Sequence, residues 1–138
     1  MGSSFRYGGF VLLMVIVVIC AGCMQPATQS GPTISERYQD VTAQEARSLK
    51  HASEGKLVVI DLSSNYGEGH LPMAITIPLN TLPEKILTLD KSRPYLVYCH
   101  SDNTSIAGAT MLVNAGFSPV YRLKDNYDSW VSAGFPAD

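Results

Sequence analysis

The sequence is poor in charge and has no basic cluster. Only 16% of its 138 residues are charged, and the formal net charge is -2. Domains that bind nucleic acids normally carry a basic stripe, and no block of Lys and Arg occurs anywhere in this chain. The composition therefore excludes nucleic acid as a partner. With 46% apolar residues the chain is able to bury a core, and its length allows one domain of ordinary size.

Cysteine is also scarce, and two of the three cysteines, Cys20 and Cys23, end an N-terminal targeting pattern. Arg6 is the only early charge, and an unbroken apolar run from residue 10 to 19 follows it. A basic start, an apolar stretch and small residues before a cut are typical of a secretory signal. The ending Ala-Gly-Cys23 resembles the lipobox of prokaryotic lipoproteins, whose last cysteine is lipidated, although Cys20 stands where Leu is usual. An uncleaved anchor over residues 8–24 is the alternative, because that stretch is just long enough to span a bilayer.

These patterns divide the chain into a signal peptide or anchor over residues 1–23, a linker over 24–37 and a domain over 38–138. The linker is inferred from its content of Pro, Gly, Ser and Thr. Both N-terminal alternatives place the domain on the outer face of a prokaryotic cytoplasmic membrane or, as a lipoprotein, in the periplasm. After cleavage before Cys23, Cys99 would be the only free thiol, so no intramolecular disulfide is expected. A lone thiol in an oxidising compartment is a liability unless it is shielded or used.

Short strand patterns alternate with helical patterns along the domain. Strands are predicted at 38–41, 57–62, 74–78, 95–98 and 119–123, with 74–78 as a second inner strand. Helices are predicted from the capping box of Thr42 and Glu45 to about residue 52, at 81–89, from Ser105 to the stop at Gly116, and at 126–133. Such alternation predicts an α/β fold, a doubly wound, mostly parallel sheet with helices on both faces. Ligands of these sheets bind beyond the carboxyl ends of the strands, at a switch in strand order.

Cys99 lies at such a carboxyl end, at the first position after the predicted strand 95–98. If the following residues curl over the thiol, their N–H groups can form an anion-binding nest, and the next helix adds its positive end. Both effects favour the thiolate, which is the nucleophilic form. The alternative is that Cys99 is a small buried hydrophobe that ends a strand. The residues of this candidate loop are His100, Ser101, Asp102, Asn103, Thr104 and Ser105.

Asp61 ends another apolar strand pattern. Carboxylates are seldom buried unpaired, so we expect Asp61 to accept hydrogen bonds from loop N–H groups and to help shape the mouth of the site. His70 lies among glycines, but no second ligand sits at metal spacing, so no metal site is predicted. No cofactor is expected.

Several ordered segments match the pattern of a known family. They are Val58-Val-Ile-Asp61, Glu68-Gly-His-Leu-Pro72, Ala74-Ile-Thr-Ile-Pro78, Leu96-Val-Tyr-Cys-His-Ser101, Asn114-Ala-Gly-Phe-Ser-Pro-Val-Tyr-Arg-Leu123 and Trp130-Val-Ser-Ala-Gly-Phe-Pro136. Over roughly residues 38–136 the chain resembles the rhodanese domain of sulfurtransferases. The resemblance implies a loop of Cys plus five residues on a doubly wound fold. The family's cysteine takes a sulfane sulfur as a persulfide and passes it to a thiophilic acceptor such as cyanide or a thiol. By position, Cys99 is the nucleophile and residues 100–104 form the anion-cradling loop.

The family's pattern is changed at several positions of the site. Ser63 and Thr104 replace arginines, Asp102 and Met73 replace glycines, and Asp125-Asn126 replaces the usual Gly-Gly before the last helix. Two cations are lost and a carboxylate is added near the mouth. Because each charge-assisted contact is worth about 1.5–3 kcal/mol, each loss weakens anion binding at least about tenfold. We therefore expect poor use of thiosulfate and better use of a neutral or protein-bound persulfide.

Two functions follow from these patterns. The first is a membrane-tethered sulfurtransferase or persulfide carrier, whose partners are a small sulfur donor or protein persulfide and a thiol acceptor. The second is a non-catalytic rhodanese-like module that binds a partner at the cell surface through a degenerate loop. A phosphatase or arsenate reductase is excluded, because such loops need an arginine and residues 100–105 contain none.

Overall fold

The computed structural model describes residues 38–64 and 66–138. The predictions of a signal peptide, of a lipidated Cys23 and of a linker fall outside these residues. Within the described ranges no helix is both long and apolar enough to cross a membrane. The same ranges form strands β1 (Gln39–Val41), β2 (Val58–Asp61), β3 (Ile75–Thr76), β4 (Tyr95–Tyr98) and β5 (Val120–Leu123), and helices α1 (Ala43–Ala52), α2 (Leu82–Lys85), α3 (Asp102–Asn114) and α4 (Asn126–Ser132).

The five strands form one parallel sheet in the order β1-β5-β4-β2-β3. This arrangement confirms the predicted doubly wound α/β fold. From β2 the chain moves to β3 at one edge, whereas from β4 it moves towards β5 on the other side. The strand order therefore switches between β2 and β4, where Asp61 is paired with Tyr98 at their carboxyl ends. A crevice at this point is the usual ligand site of such sheets.

The core divides into two layers because side chains alternate along each strand. In β4, Tyr95 and Val97 pack on the face covered by α2 and α3, whereas Leu96 and Tyr98 pack on the face covered by α1 and α4. All four side chains are at most 1% exposed. This burial on both faces explains why β4 is a continuous apolar run in the sequence.

The start of α1 is where the capping box predicts it. The Thr42 hydroxyl accepts a hydrogen bond from the N–H of Glu45 at 3.3 Å, and the Glu45 carboxylate accepts one from the N–H of Thr42 at 2.7 Å. These reciprocal bonds satisfy two N–H groups that a helix start leaves without partners. The hydrogen bonds lower the pKa of Glu45.

Two predictions about the middle of the chain are wrong. The segment around β3 is an edge strand rather than an inner one, and both of its residues are exposed. An apolar run does not by itself distinguish an edge from a centre, and Pro78, which lacks an N–H, follows closely. Helix α2 is also shorter than predicted. After Lys85 the N–H groups of Leu87 and Thr88 bond to carbonyls three residues back, so the chain continues as tight turns.

Candidate active site

Cys99 lies at the carboxyl end of β4, beside the switch in strand order, and is 6% exposed. It opens onto a pocket of about 400 Å³. The pocket is formed where the chain leaves β2, β3 and β4, and no Asp, Glu, Lys or Arg stands among the described residues of its wall. The lining residues are Leu62, Ser63, Ser64, Pro78, Leu79, Asn80, Cys99, His100, Ser101 and Thr104.

The loop after Cys99 is shorter than the sequence predicts. Helix α3 begins at Asp102 rather than Ser105, so only His100 and Ser101 separate Cys99 from the helix. The Ser101 hydroxyl accepts from the N–H of Thr104 at 3.4 Å, and its carbonyl accepts from the N–H of Ser105 at 3.2 Å. Ser is a favoured N-cap and Asp a favoured first-turn residue, so this polar stretch is a helix start rather than a loop.

The candidate loop residues separate into two groups. His100, Ser101 and Thr104 line the pocket with Cys99. Asp102, Asn103 and Ser105 belong to the first turn of α3 and are not part of the pocket wall. Asn103 is exposed, and Ser105 is fully buried, with its hydroxyl donating to the carbonyl of Asp102 at 3.1 Å.

The carboxylate of Asp102 is bound to Arg122 of β5. The guanidinium Nη1 donates to Asp102 Oδ1 at 2.9 Å. Arg122 is 6% exposed and also forms a two-pronged pair with Asp40 of β1, in which Nε and Nη2 donate to the two carboxylate oxygens at 2.7 Å each. The hydrogen bonds that Arg122 donates to Asp40 are the main reason why the pKa of Arg122 is raised above its ordinary value. A planar guanidinium held by two prongs has a fixed orientation.

The turn that begins α4 contacts the same loop from the other side. Asp125 and Asn126 have positive φ angles of 57° and 55°. The Asn126 amide donates to Asp102 Oδ1 at 2.8 Å, and the N–H of Tyr127 donates to the carbonyl of Cys99 at 3.0 Å. The ring of Tyr127 lies 4.7 Å, between centroids, from the half-buried ring of His100. The segment after β4 is therefore held by a backbone hydrogen bond at Cys99, by a ring contact at His100 and by a hydrogen bond to the carboxylate of Asp102.

Comparison with known proteins identifies the family. The model of the family described as Rhodanese-like domain matches residues 42–133. The chain belongs to this family.

Individual relatives agree with the family model. Thiosulfate sulfurtransferase GlpE of Pseudomonas paraeruginosa is 29% identical to this chain over 107 residues, which cover 76% of this chain and 94% of the relative. The GlpE of Stutzerimonas stutzeri is 26% identical over 103 residues, 73% and 91% of the two chains. The crystal structure of the Alr3790 protein from Anabaena sp. is 28% identical, with a TM-score of 0.65 over 71% of this chain and 81% of that one.

Asp61 is fully buried beside the pocket of this rhodanese-like domain. Its Oδ1 accepts from the N–H of Ser63 at 2.8 Å and so shapes the first turn after β2. The Ser63 hydroxyl is buried too, and within residues 38–64 and 66–138 it has no hydrogen-bond partner. Those residues also contain no group of three His, Cys, Asp or Glu that could hold a metal ion.

Sequence reasoning missed the residues that hold the Cys99 loop of this rhodanese-like domain. Arg122 offered one signal, because a charge in the short apolar strand Val-Tyr-Arg-Leu123 requires a partner. Tyr127 and Asn126 offered none, since their contacts join distant parts of the chain.

Proposed function

We propose that this rhodanese-like domain is a sulfurtransferase or persulfide carrier in which Cys99 is the nucleophile. The observation that carries the proposal is the position of the thiol at the switch between β2 and β4, on the wall of a pocket large enough for a small donor or an inserted side chain. The GlpE relatives, named thiosulfate sulfurtransferases, support this reaction type.

The chemistry divides into two displacements at sulfur. The Cys99 thiolate attacks the outer sulfur of a persulfide R–S–SH, forming a new S–S bond while the old one breaks. The products are Cys99–S–SH and the thiolate R–S⁻, so electrons and protons balance. An acceptor thiolate, or cyanide, then attacks the outer sulfur and releases the Cys99 thiolate. Helix α3 begins three residues after Cys99 and contributes Thr104 to the pocket wall, so an anion bound in the pocket lies near the positive end of this helix.

The walls of the pocket favour a donor of low charge. Its polar side chains are those of Ser63, Ser64, Asn80, His100, Ser101 and Thr104, and no Lys or Arg stands among the described residues of the wall. Hydroxyls and amides hydrogen-bond a neutral or singly charged donor, whereas thiosulfate carries two charges that these groups leave uncompensated. We therefore propose a small-molecule or protein-bound persulfide as the physiological donor and a thiol as the acceptor.

Mass spectrometry of the full-length protein tests the reaction. After incubation with glutathione persulfide, we expect Cys99 to gain one sulfur, and cyanide to remove it as thiocyanate. The Cys99→Ser variant controls for sulfur on other residues. If Cys99 gains no sulfur from glutathione persulfide or thiosulfate while it still reacts with an alkylating reagent, the sulfurtransferase proposal is wrong and the binding-module alternative replaces it.

A single substitution tests the donor class. Thr104→Arg places a cation at the pocket wall, and one charge-assisted contact corresponds to at least about a tenfold gain in kcat/KM for thiosulfate. The kcat/KM for glutathione persulfide is expected to change much less. Ser48→Arg adds the same charge on the exposed surface of α1 and is the matched control. If the wild type and the Thr104→Arg variant had the same kcat/KM for thiosulfate, the proposal that missing positive charge limits the use of thiosulfate would be wrong.

We also propose that the chain is tethered to the membrane, through a lipid on Cys23 or through an uncleaved N-terminal anchor. This proposal rests on the sequence pattern of residues 1–23. Cys23→Ser is expected to abolish incorporation of a labelled fatty acid in a bacterial host, whereas Cys20→Ser is expected to retain it. If neither variant nor the wild type incorporates label but all sediment with membranes, the anchor is correct and lipidation is wrong.

A further inference from the structure

We propose that Arg122 and Asn126 are positioning residues for Cys99, acting through the carboxylate of Asp102. The inference rests on the proposed function, because it concerns how the same cysteine is held for reaction. Neither residue is part of the pocket wall. Both instead donate to a single oxygen, Oδ1 of Asp102, at 2.9 Å and 2.8 Å.

Arg122 is held rigidly by its partners. Its other two guanidinium nitrogens, Nε and Nη2, donate to Asp40, its direct neighbour across the parallel pairing of β1 and β5. Its Nη1 also lies 3.3 Å from the hydroxyl of Ser105. A side chain that is 6% exposed and held by three partners has one orientation, so it fixes the carboxylate that it binds.

The backbone of Asn126 adopts a conformation that few residue types favour. A φ angle of +55° is unfavourable for residues other than glycine, although Asn tolerates it better than most. Glycine would adopt this φ angle without strain, but it has no side-chain amide that could donate a hydrogen bond to Asp102. Asn126 is 6% exposed, and its Nδ2 donates to Asp102. Strain that persists where a side chain makes a specific contact points to a role for the contact.

The turn that begins α4 contacts both ends of the segment from Cys99 to Asp102. The N–H of Tyr127 donates to the carbonyl of Cys99, and the side chain of the preceding residue, Asn126, donates to Asp102. Asp102 lies three residues after Cys99. The segment from Cys99 to Asp102 is therefore held at both ends by one turn.

The test compares Asn126→Gly with Asp125→Gly. Both replace a residue of positive φ by glycine, so we expect both variants to remain folded, but only the first removes a donor from Asp102. In Asn126→Gly, the rate of persulfide formation at saturating donor is expected to fall at least about fivefold, with the donor KM changed less than about twofold, because geometry is lost while the pocket wall is intact. Asp125→Gly is expected to match the wild type in both constants.

Hydrogen exchange gives a readout that does not depend on sulfur transfer. Amides of residues 99–105 are expected to exchange faster in Asn126→Gly than in Asp125→Gly or the wild type. Asp102→Ala is expected to reproduce both effects, and Asn126→Gly is expected to add nothing to it, because the two residues act through one contact.

Two results would overturn the inference. One is that Asn126→Gly and Asp125→Gly have the same hydrogen-exchange rates at residues 99–105 and the same rate of persulfide formation. The other is full additivity of Asp102→Ala and Asn126→Gly. If the wild type formed no persulfide, the proposed function would fail separately, and faster exchange in Asn126→Gly would still support the holding contact.

Discussion

Substitution of Gly108 by Ala is expected to destabilise the domain, although Gly→Ala in the middle of a helix normally stabilises it. Gly108 lies in α3 and is buried against Leu62, the residue that follows β2. A Cβ added there would overlap Leu62 Cδ1 and lie 3.1 Å from Cδ2 and 3.3 Å from Cγ. The absence of a side chain allows α3 to approach the sheet closely, beside the pocket of Cys99.

Two opposed terms give the expected magnitude. Gly→Ala in a helix interior contributes about 1 kcal/mol of stability through propensity. Overpacking of a core costs about 1–3 kcal/mol, and Leu62 is 2% exposed with little room to shift. The free energy of unfolding is therefore expected to fall by roughly 0–2 kcal/mol instead of rising by about 1 kcal/mol. Because Leu62 lines the pocket, its displacement is also expected to slow persulfide formation.

Urea unfolding followed by fluorescence measures this effect, since Trp130 is the single tryptophan and is 2% exposed. The control is a double-mutant cycle with Leu62→Ala, which itself costs about 2–5 kcal/mol. In that background the overlap is gone, so Gly108→Ala should stabilise by about 1 kcal/mol. A Gly108→Ala variant that is about 1 kcal/mol more stable in both backgrounds would refute the packing argument.

Three further substitutions have defined outcomes in the same assay. Gly69→Ala is expected to lower stability by at least about 1–3 kcal/mol, because φ is +101° and its Cβ would meet the Tyr127 hydroxyl; an unchanged midpoint would contradict this. Thr42→Ala is expected to cost about 1 kcal/mol through loss of the α1 cap, and a loss of less than a few tenths would contradict the role of the cap. Burial raises the pKa of Tyr95, so the folded state holds the phenolic proton more tightly than the unfolded state does. The resulting contribution to stability is complete below about pH 10 and is lost as pH rises through the raised pKa. The wild type should therefore lose stability above pH 10 more steeply than Tyr95→Phe, and parallel pH profiles would contradict this.

The fold could be predicted from the sequence because its signals are local. The apolar run of β4 indicates burial on both faces, and the capping box at Thr42 and Glu45 marks a helix start within four residues. The alternation of strands and helices then determines a parallel sheet. The placement of Asp61 and Cys99 at neighbouring carboxyl ends follows from that topology. The start of α3 at Asp102 differs from the predicted Ser105 because its first turn is polar, and apolar periodicity detects only the part of a helix that faces a core.

The contacts around Asp102 could not be predicted, because no local pattern specifies them. Arg122 is 20 residues from Asp102 and 82 from Asp40, and Asn126 is 24 residues from Asp102. Their meeting depends on the register of β1 with β5 and on the positive φ angles of the turn before α4. The sequence shows that these residue types are able to form hydrogen bonds and ion pairs with one another, but only the tertiary structure brings them into contact.

The position of this charge changes the argument about the sulfur donor. From the sequence alone, Asp102 counts as a carboxylate that repels an anion at the mouth of the site. In the structure the carboxylate is bound by Arg122 and Asn126 and is not part of the pocket wall. Arg122 is shared with Asp40, so the three side chains together keep one negative charge, but Asp102 lies outside the pocket wall and its repulsion of thiosulfate is weaker than the sequence alone implies. The expectation of poor thiosulfate use then depends mainly on the missing cations at Ser63 and Thr104, so a single arginine at position 104 is expected to recover one of the two lost contacts, at least about tenfold in kcat/KM for thiosulfate.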